Sequence, residues 1–419
     1  MTLAEFCTML PFALLLGAMA ATPIFAPQWW QRHYAKVALG LGAVTTSYYL
    51  FVLHDTHSLG AAGHEYFSFI ALVGSLFVVS GGIHIGVKSG ATPLTNVLFL
   101  LFGAIIANVL GTTGAAMLLI RPWIRMNQRR IAAHHIVFFI FLVANVGGCL
   151  TPIGDPPLFL GFLQGIPFWW VAENCWPMWL LGIGLLLAMF YFVDQKSHQR
   201  NPPLPPDRQP ADEQWTIEGL PNLIFLGVIL GAVFVTQPLF LREGLMLAAA
   251  AGSYFTTKKN VHAANQFDFH PIQEVAFLFA GIFTTMMPAL DWLDQGSQTL
   301  LGQQPAPEIF YWGTGLLSSA LDNAPTYLGF LQALHGTASA EDIHSLLRTH
   351  THHVLAISIA AVFFGAATYI GNGPNFMVKA IAEQNGVRMP SFLDFIVKYS
   401  LPFLLPVLVI LWLIFFRTH

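Results

Sequence analysis

Gly111-Thr112-Thr113-Gly114 interrupts the otherwise apolar segment Leu94 to Ile120, and Leu321-Asp322-Asn323-Ala324-Pro325 interrupts a second one, Ile309 to Leu334. Glycine, paired threonines and proline sit poorly in a helix interior, and both groups fall in mid-segment. In lipid, unpaired backbone amides and carbonyls are costly, so non-helical backbone at membrane depth survives only against protein or a water-filled cavity. Each segment is therefore expected to be a re-entrant hairpin with its tip inside the membrane, not one straight helix.

Composition supports a lipid setting. Charged residues make up 9% of the 419 and hydrophobic ones 55%, whereas a soluble domain is about a quarter charged. Apolar runs of roughly 20 residues, enough to cross a bilayer, fall near 3–25, 35–53, 65–87, 135–151, 168–193, 220–236, 239–257, 271–290, 352–370 and 392–416. That makes about ten crossings besides the hairpins. No Lys or Arg precedes the first run, unlike a cleaved signal peptide, so the first span is expected to be retained. Cys7, Cys149 and Cys175 form neither a disulfide framework nor a metal cluster and read as packing residues. The 16 histidines show no zinc-site spacing. Without a P-loop, ATP-driven pumping by this chain is not expected, nor is an enzyme activity, a bound cofactor or a nucleic-acid partner.

An internal echo organises the chain. His134-His135 opens a span that reaches Thr151-Pro152-Ile153-Gly154-Asp155-Pro156-Pro157, and His352-His353 opens one that reaches Thr368-Tyr369-Ile370-Gly371-Asn372-Gly373-Pro374. A hairpin followed by a broken helix thus occurs twice in the same order. The polar stretch Asp194 to Gly219 divides the copies, giving a half-repeat over 1–193, a cytoplasmic linker over 194–219 and a second half-repeat over 220–419. The fold class expected is an all-α polytopic membrane protein, an inverted repeat of two halves, each with about five crossings plus a re-entrant hairpin and a broken helix.

Charge placement tests that topology independently. With both termini outside, fifteen Lys and Arg residues fall on one face, among them Lys88, Arg121, Lys196, Lys258 and Lys398. Only Arg242, Arg348 and Arg417 fall on the other. Cytoplasmic loops retain Lys and Arg, so the crowded face is read as cytoplasmic. The first hairpin then enters from the cytoplasm and the second from outside.

The breaks supply oxygen-bearing side chains almost throughout. The first half offers Asn108, Thr112, Thr113, Asn145, Thr151 and Asp155; the second offers Ser318, Ser319, Asp322, Asn323, Thr368, Asn372 and Asn375. Such groups suit a hard cation like sodium. Asp155 and Asp322 carry the most information, because an intramembrane ionisable group is costly and is by default a functional candidate. Each also reads as a helix cap, before Pro156-Pro157 and before Pro325, and capping does not exclude ion binding. His84, His134-His135 and His352-His353 read as packed or interfacial residues, and Glu274 as a solvated span end. Arg121 to Arg130 read as topology-setting charge with anionic lipid as a further contact. Trp169, Trp170, Trp176 and Trp179 suit an interfacial belt.

Asn108-Val109-Leu110-Gly111-Thr112-Thr113-Gly114-Ala115, with Gly147-Gly148-Cys149-Leu150-Thr151-Pro152-Ile153-Gly154-Asp155-Pro156-Pro157 and the following Leu158 to Leu163, resembles the NhaD-type sodium/proton antiporters. It is also similar to the citrate transporter family of the ion transporter superfamily. The likeness runs over nearly the whole chain and implies the two-hairpin inverted-repeat fold; Asp322-Asn323-Ala324-Pro325 and Gly371-Asn372-Gly373-Pro374 are shared more widely. Dicarboxylate carriers of the superfamily carry a Ser-Asn-Thr-like motif, which this sequence lacks. Two carboxylates near one small site attract sodium and repel citrate. Sodium/proton antiport by alternating access is therefore the leading expectation, with sodium or a proton bound at Asp155 and Asp322. Sodium- or proton-coupled citrate or dicarboxylate transport is the alternative, and a channel or non-transporting subunit a third. A bacterial inner-membrane location and a homodimer follow from the resemblance.

Overall fold

The computed structural model describes residues 3–200, 215–302, 305–338 and 342–417. Helix α1 (Leu3–Phe25) and α2 (Pro27–Tyr48, continuing to Leu53) pack on one another. Then come α3 (Thr56–Gly81), the short strand β1 (His84–Gly86), α4 (Pro93–Met126), α5 (Ala133–Leu142), α6 (Pro156–Leu163) and α7 (Phe168–Arg200). Beyond the divide lie β2 (Thr216–Glu218), α8 (Asn222–Ala232), α9 (Leu241–Thr256), α10 (Lys259–Ala264), α11 (His270–Thr285) and α12 (Met287–Leu301). The chain closes with α13 (Pro307–Ala320), α14 (Asn323–Ala338), α15 (Ile343–Thr349), α16 (Thr351–Phe364), α17 (Gly373–Gln384) and α18 (Phe392–Phe416). Among the described residues, seven helices are long and apolar enough to cross a membrane, or nine if each of two bent pairs is one span. The chain is an all-α multi-pass membrane protein.

One of those seven folds back on itself. A straight helix with the 34 residues of α4 would separate its ends by about 50 Å. Instead the amides of Gly90 and Ala91 donate to the Met126 carbonyl at 3.0 and 3.3 Å, and the Phe99 and Trp123 rings stack with centroids 5.4 Å apart. The helix folds back at Gly111, whose φ of 74° and ψ of 155° lie outside the helical region. A Cβ there would sit 3.2 Å from the Ile153 carbonyl oxygen, so both the backbone conformation and the packing call for glycine. The first segment is therefore a hairpin turning at Gly111, at the break the sequence marks. The second turns at Leu321-Asp322 between α13 and α14, and Phe310 and Phe330 meet across it at 6.3 Å.

Helix starts follow local chemistry. Thr92 caps α4 by accepting from the Thr95 amide at 3.2 Å, with Pro93 in the first position. Pro156 opens α6 and Pro374 stands in the first turn of α17, where a missing N–H costs nothing. Between α5 and α6 the chain passes through one 3-10 turn, Val146–Leu150, and between α16 and α17 through another, Gly365–Ala367.

Several boundaries depart from the sequence reading. The span expected over 65–87 ends at Gly81, and the residues after it pair as β1 with β2, His84 opposite Glu218 and Gly86 opposite Thr216. Asn222 fixes that corner by donating to the Gly82 carbonyl at 2.7 Å. The linker expected from Asp194 starts later, because Asp194 to Arg200 continue α7, while residues 201–214 lie outside the described residues. The span expected over 271–290 bends by 41° between α11 and α12, and α15 meets α16 at 98°. Helix α8 has 11 residues, about 16 Å of rise, short of the span expected over 220–236.

Candidate functional site

The carboxylate of Asp155, which precedes α6 and is buried, lies where the four breaks meet. Its Oδ1 accepts from Thr112 Oγ1 at 2.7 Å and from Asn372 Nδ2 at 3.0 Å, and its Oδ2 accepts from Asn323 Nδ2 at 2.7 Å. Thr112 stands just past the first hairpin's tip and Asn323 just past the second's, while Asn372 precedes α17 as Asp155 precedes α6. The sequence distances are 43, 168 and 217 residues.

Backbone contacts bring the breaks to this point. The Thr112 amide donates to the Gly154 carbonyl at 2.7 Å. Gly148 and Gly154 approach so closely that a Cβ on Gly148 would lie 2.5 Å from the Gly154 oxygen. Two threonines make matching latches: Thr151 donates to the Asn108 carbonyl at 2.6 Å, and Thr368 to the Ser319 carbonyl at 2.6 Å. Asn145 donates to Asn375 Oδ1 at 2.7 Å and accepts from Asn372 at 3.2 Å, tying one broken helix to the other.

Among the described residues no basic side chain pairs with Asp155; its partners are a hydroxyl and two amides. The Oδ1 of Asn323 is buried and has no hydrogen-bond partner among the described residues, an orphaned acceptor beside the carboxylate its own amide nitrogen contacts. Buried acceptors of this kind are costly unless something donates or coordinates. Donor chemistry here consists of hydroxyl, amide and carboxylate oxygens, which fits a small hard cation.

Asp322 is half-buried and accepts from the Ala324 amide at 3.0 Å, capping α14. It lines a cavity of about 120 Å³ with Trp30, Glu274, Tyr369 and Asn372. Asn372 therefore touches both the Asp155 cluster and the Asp322 cavity. Among the described residues, two carboxylates and no Lys, Arg or His line that cavity.

Other residues singled out in the sequence take supporting positions. Asn108 spends its amide on the backbone, donating to Gly147 at 2.7 Å and accepting from Leu150 at 2.8 Å. Thr113 lines a smaller cavity beyond the first tip. Ser318 donates to the Ala361 carbonyl at 2.7 Å and the half-buried Ser319 to Leu316 at 2.7 Å, so neither hydroxyl joins the cluster around Asp155.

A second buried polar cluster was missed in the sequence. Asp194 receives Arg130 on both oxygens, Asn96 on Oδ2 at 2.8 Å, and has His135 Nε2 at 3.0 Å and His134 Nε2 at 3.6 Å from Oδ1. Asn96 also exchanges hydrogen bonds with Asn127, so this cluster clamps both ends of the first hairpin to α7. His134 and His135 are thus not interfacial anchors, and Arg130 is not simply surface charge. The guanidinium on both oxygens leaves Asp194 poorly suited to a metal. Trp179, expected in the interfacial belt, donates to the Gly147 carbonyl at 3.0 Å and so supports the first break. Glu274, read as solvated, is half-buried on the Asp322 cavity. The one cue to the cluster was an acidic residue in the last turns of a long apolar span.

Two hairpins and two broken helices converging on a buried carboxylate define the class, a secondary transporter. The chain belongs to a family described as "Putative citrate transport", whose model matches residues 2–416. No curated protein matches it.

Proposed function

We propose that the chain couples the movement of sodium to that of protons by alternating access, Asp155 and Asp322 each holding either ion in turn. The observation that carries this reading is the Asp322 cavity, with its two carboxylates and no basic side chain. A multiply charged anion entering it would meet like charge in a poorly screened space, whereas a cation would meet ligands. Thr112, Asn323 and Asn372 complete the Asp155 site, Asn145 and Thr368 brace it, and the unpartnered Oδ1 of Asn323 is available as a further ligand.

Within this reading, residues 1–200 and 220–419 are inverted half-repeats joined by the stretch that follows α7, and the site lies between them. Support comes from the matched order of hairpin, 3-10 turn and break, and from the paired latches of Thr151 and Thr368. Both termini are assigned outside a bacterial inner membrane on charge placement.

The family description favours a second reading, sodium- or proton-coupled uptake of citrate or another small carboxylate. In it the same two carboxylates bind the coupling cation. Everted vesicles carrying a proton gradient separate the two. Dissipation on adding sodium or lithium, with no response to citrate, is expected; dissipation by citrate and not by sodium overturns antiport in favour of the second reading.

A further inference from the structure

The Asp322 cavity has a neighbour of about 340 Å³, lined among others by Arg121, Gln266, Asp268 and His270. Pro23, Trp30, Pro271, Glu274, Phe376 and Met377 line both. Of these six shared residues only Glu274 is ionisable. Arg121 lies on the returning arm of the first hairpin near its base, so the larger cavity sits toward the face from which that hairpin enters. Asp322 stands at the tip of the hairpin of the other half.

We propose that Glu274 is the relay carboxylate at the neck between the two cavities, the group through which a cation reaches Asp322 from the face of the first hairpin's base. This rests on the cation reading above. Moving a small cation in one step from water to an apolar-walled pocket carries the full desolvation cost. A carboxylate at the neck divides that step in two. At the neck the other shared residues are apolar, Pro23, Pro271, Phe376 and Met377 among them, while His270, four residues earlier on α11, faces Glu274 from the larger cavity. Glu274 forms no ion pair among the described residues, and it lies in the second turn of α11. At the outer rim Arg121 and Asp268 carry opposite charges, and Arg121 reaches Gln266 at 3.5 Å. The net negative charge along the route therefore rests on Glu274 and then Asp322, an increasing pull inward for a cation.

Two measurements test the relay. In oriented proteoliposomes, Glu274→Gln should raise the half-saturating sodium concentration about tenfold at the face of the first hairpin's base and leave the opposite face unchanged. Glu274→Asp should restore most of the loss. Equal change at both faces, or none at either while wild type moves sodium, overturns the proposal. The second measurement does not depend on transport. In a Cys7→Ser background, the thiol introduced by Asp322→Cys is labelled from that face by cationic and by anionic methanethiosulfonate reagents. The cationic reagent should react faster, and adding Glu274→Gln should abolish the preference. An unchanged preference overturns the relay whatever ion the protein carries, whereas wild type that moves no cation but keeps the Glu274-dependent preference overturns only the antiport reading.

Discussion

Asp155 and Asp322 are both carboxylates at helix starts, yet their surroundings differ enough to separate structural from functional roles. Asp155 accepts three side-chain hydrogen bonds in a buried cluster, so Asp155→Asn replaces one acceptor oxygen by a donor facing donors. That change should cost about 1–3 kcal/mol, read as a lower melting temperature in detergent, together with loss of cation-dependent exchange. Asp322 makes one local bond, to the Ala324 amide, which asparagine can also accept at a cap. Asp322→Asn should stay within about 0.5 kcal/mol of wild type in stability and still lose exchange. Full exchange in Asp322→Asn would reduce that residue to a cap. Both carboxylates were legible in the sequence because an acidic residue inside an apolar run is conspicuous. The partners of Asp155 were legible only as a class of residue, since 168 and 217 positions separate it from Asn323 and Asn372 and no local pattern reports such a distance.

At the scale of elements, the hairpins were readable because their tips break an apolar pattern, and the turn at Gly111 bears this out in its positive φ. Gly111→Ala forces a left-sided backbone on a residue with a side chain and crowds the Ile153 carbonyl at 3.2 Å. A loss of about 1–3 kcal/mol is expected, with transport falling more than the melting temperature because Thr112 follows directly. The base of the same hairpin was not readable. Arg130 and Asp194 are 64 residues apart, and each alone looks like ordinary span-end charge. Asp194→Ala leaves the guanidinium buried without its partner, a change of about 3–5 kcal/mol visible as poor thermal stability and reduced membrane yield. Unaltered melting would mean that the clamp contributes little. Helix ends shifted for a similar reason: Asn222 and the β1–β2 pairing stop α3 at Gly81, and both partners come from the other side of the divide.

For the whole molecule, residue patterns gave the lipid setting and the twice-used order of hairpin and break, while the meeting of all four breaks needed the structure. Orientation rests on charge. Single cysteines introduced by Lys88→Cys and Arg242→Cys, in a Cys7→Ser background, should be labelled by an impermeant reagent from opposite sides, Lys88→Cys from the cytoplasm. Labelling from one side would remove the assigned topology. The small antiparallel pairing of His84–Gly86 with Thr216–Glu218 joins the end of the dividing stretch to the corner after the third helix. Because that stitch and the Asp155 cluster both span the divide, the protein should tolerate being made as two polypeptides. Fragments ending and beginning between residues 201 and 214, co-expressed, would find each other by complementation, the strands setting the register of reassembly and the shared carboxylate completing it.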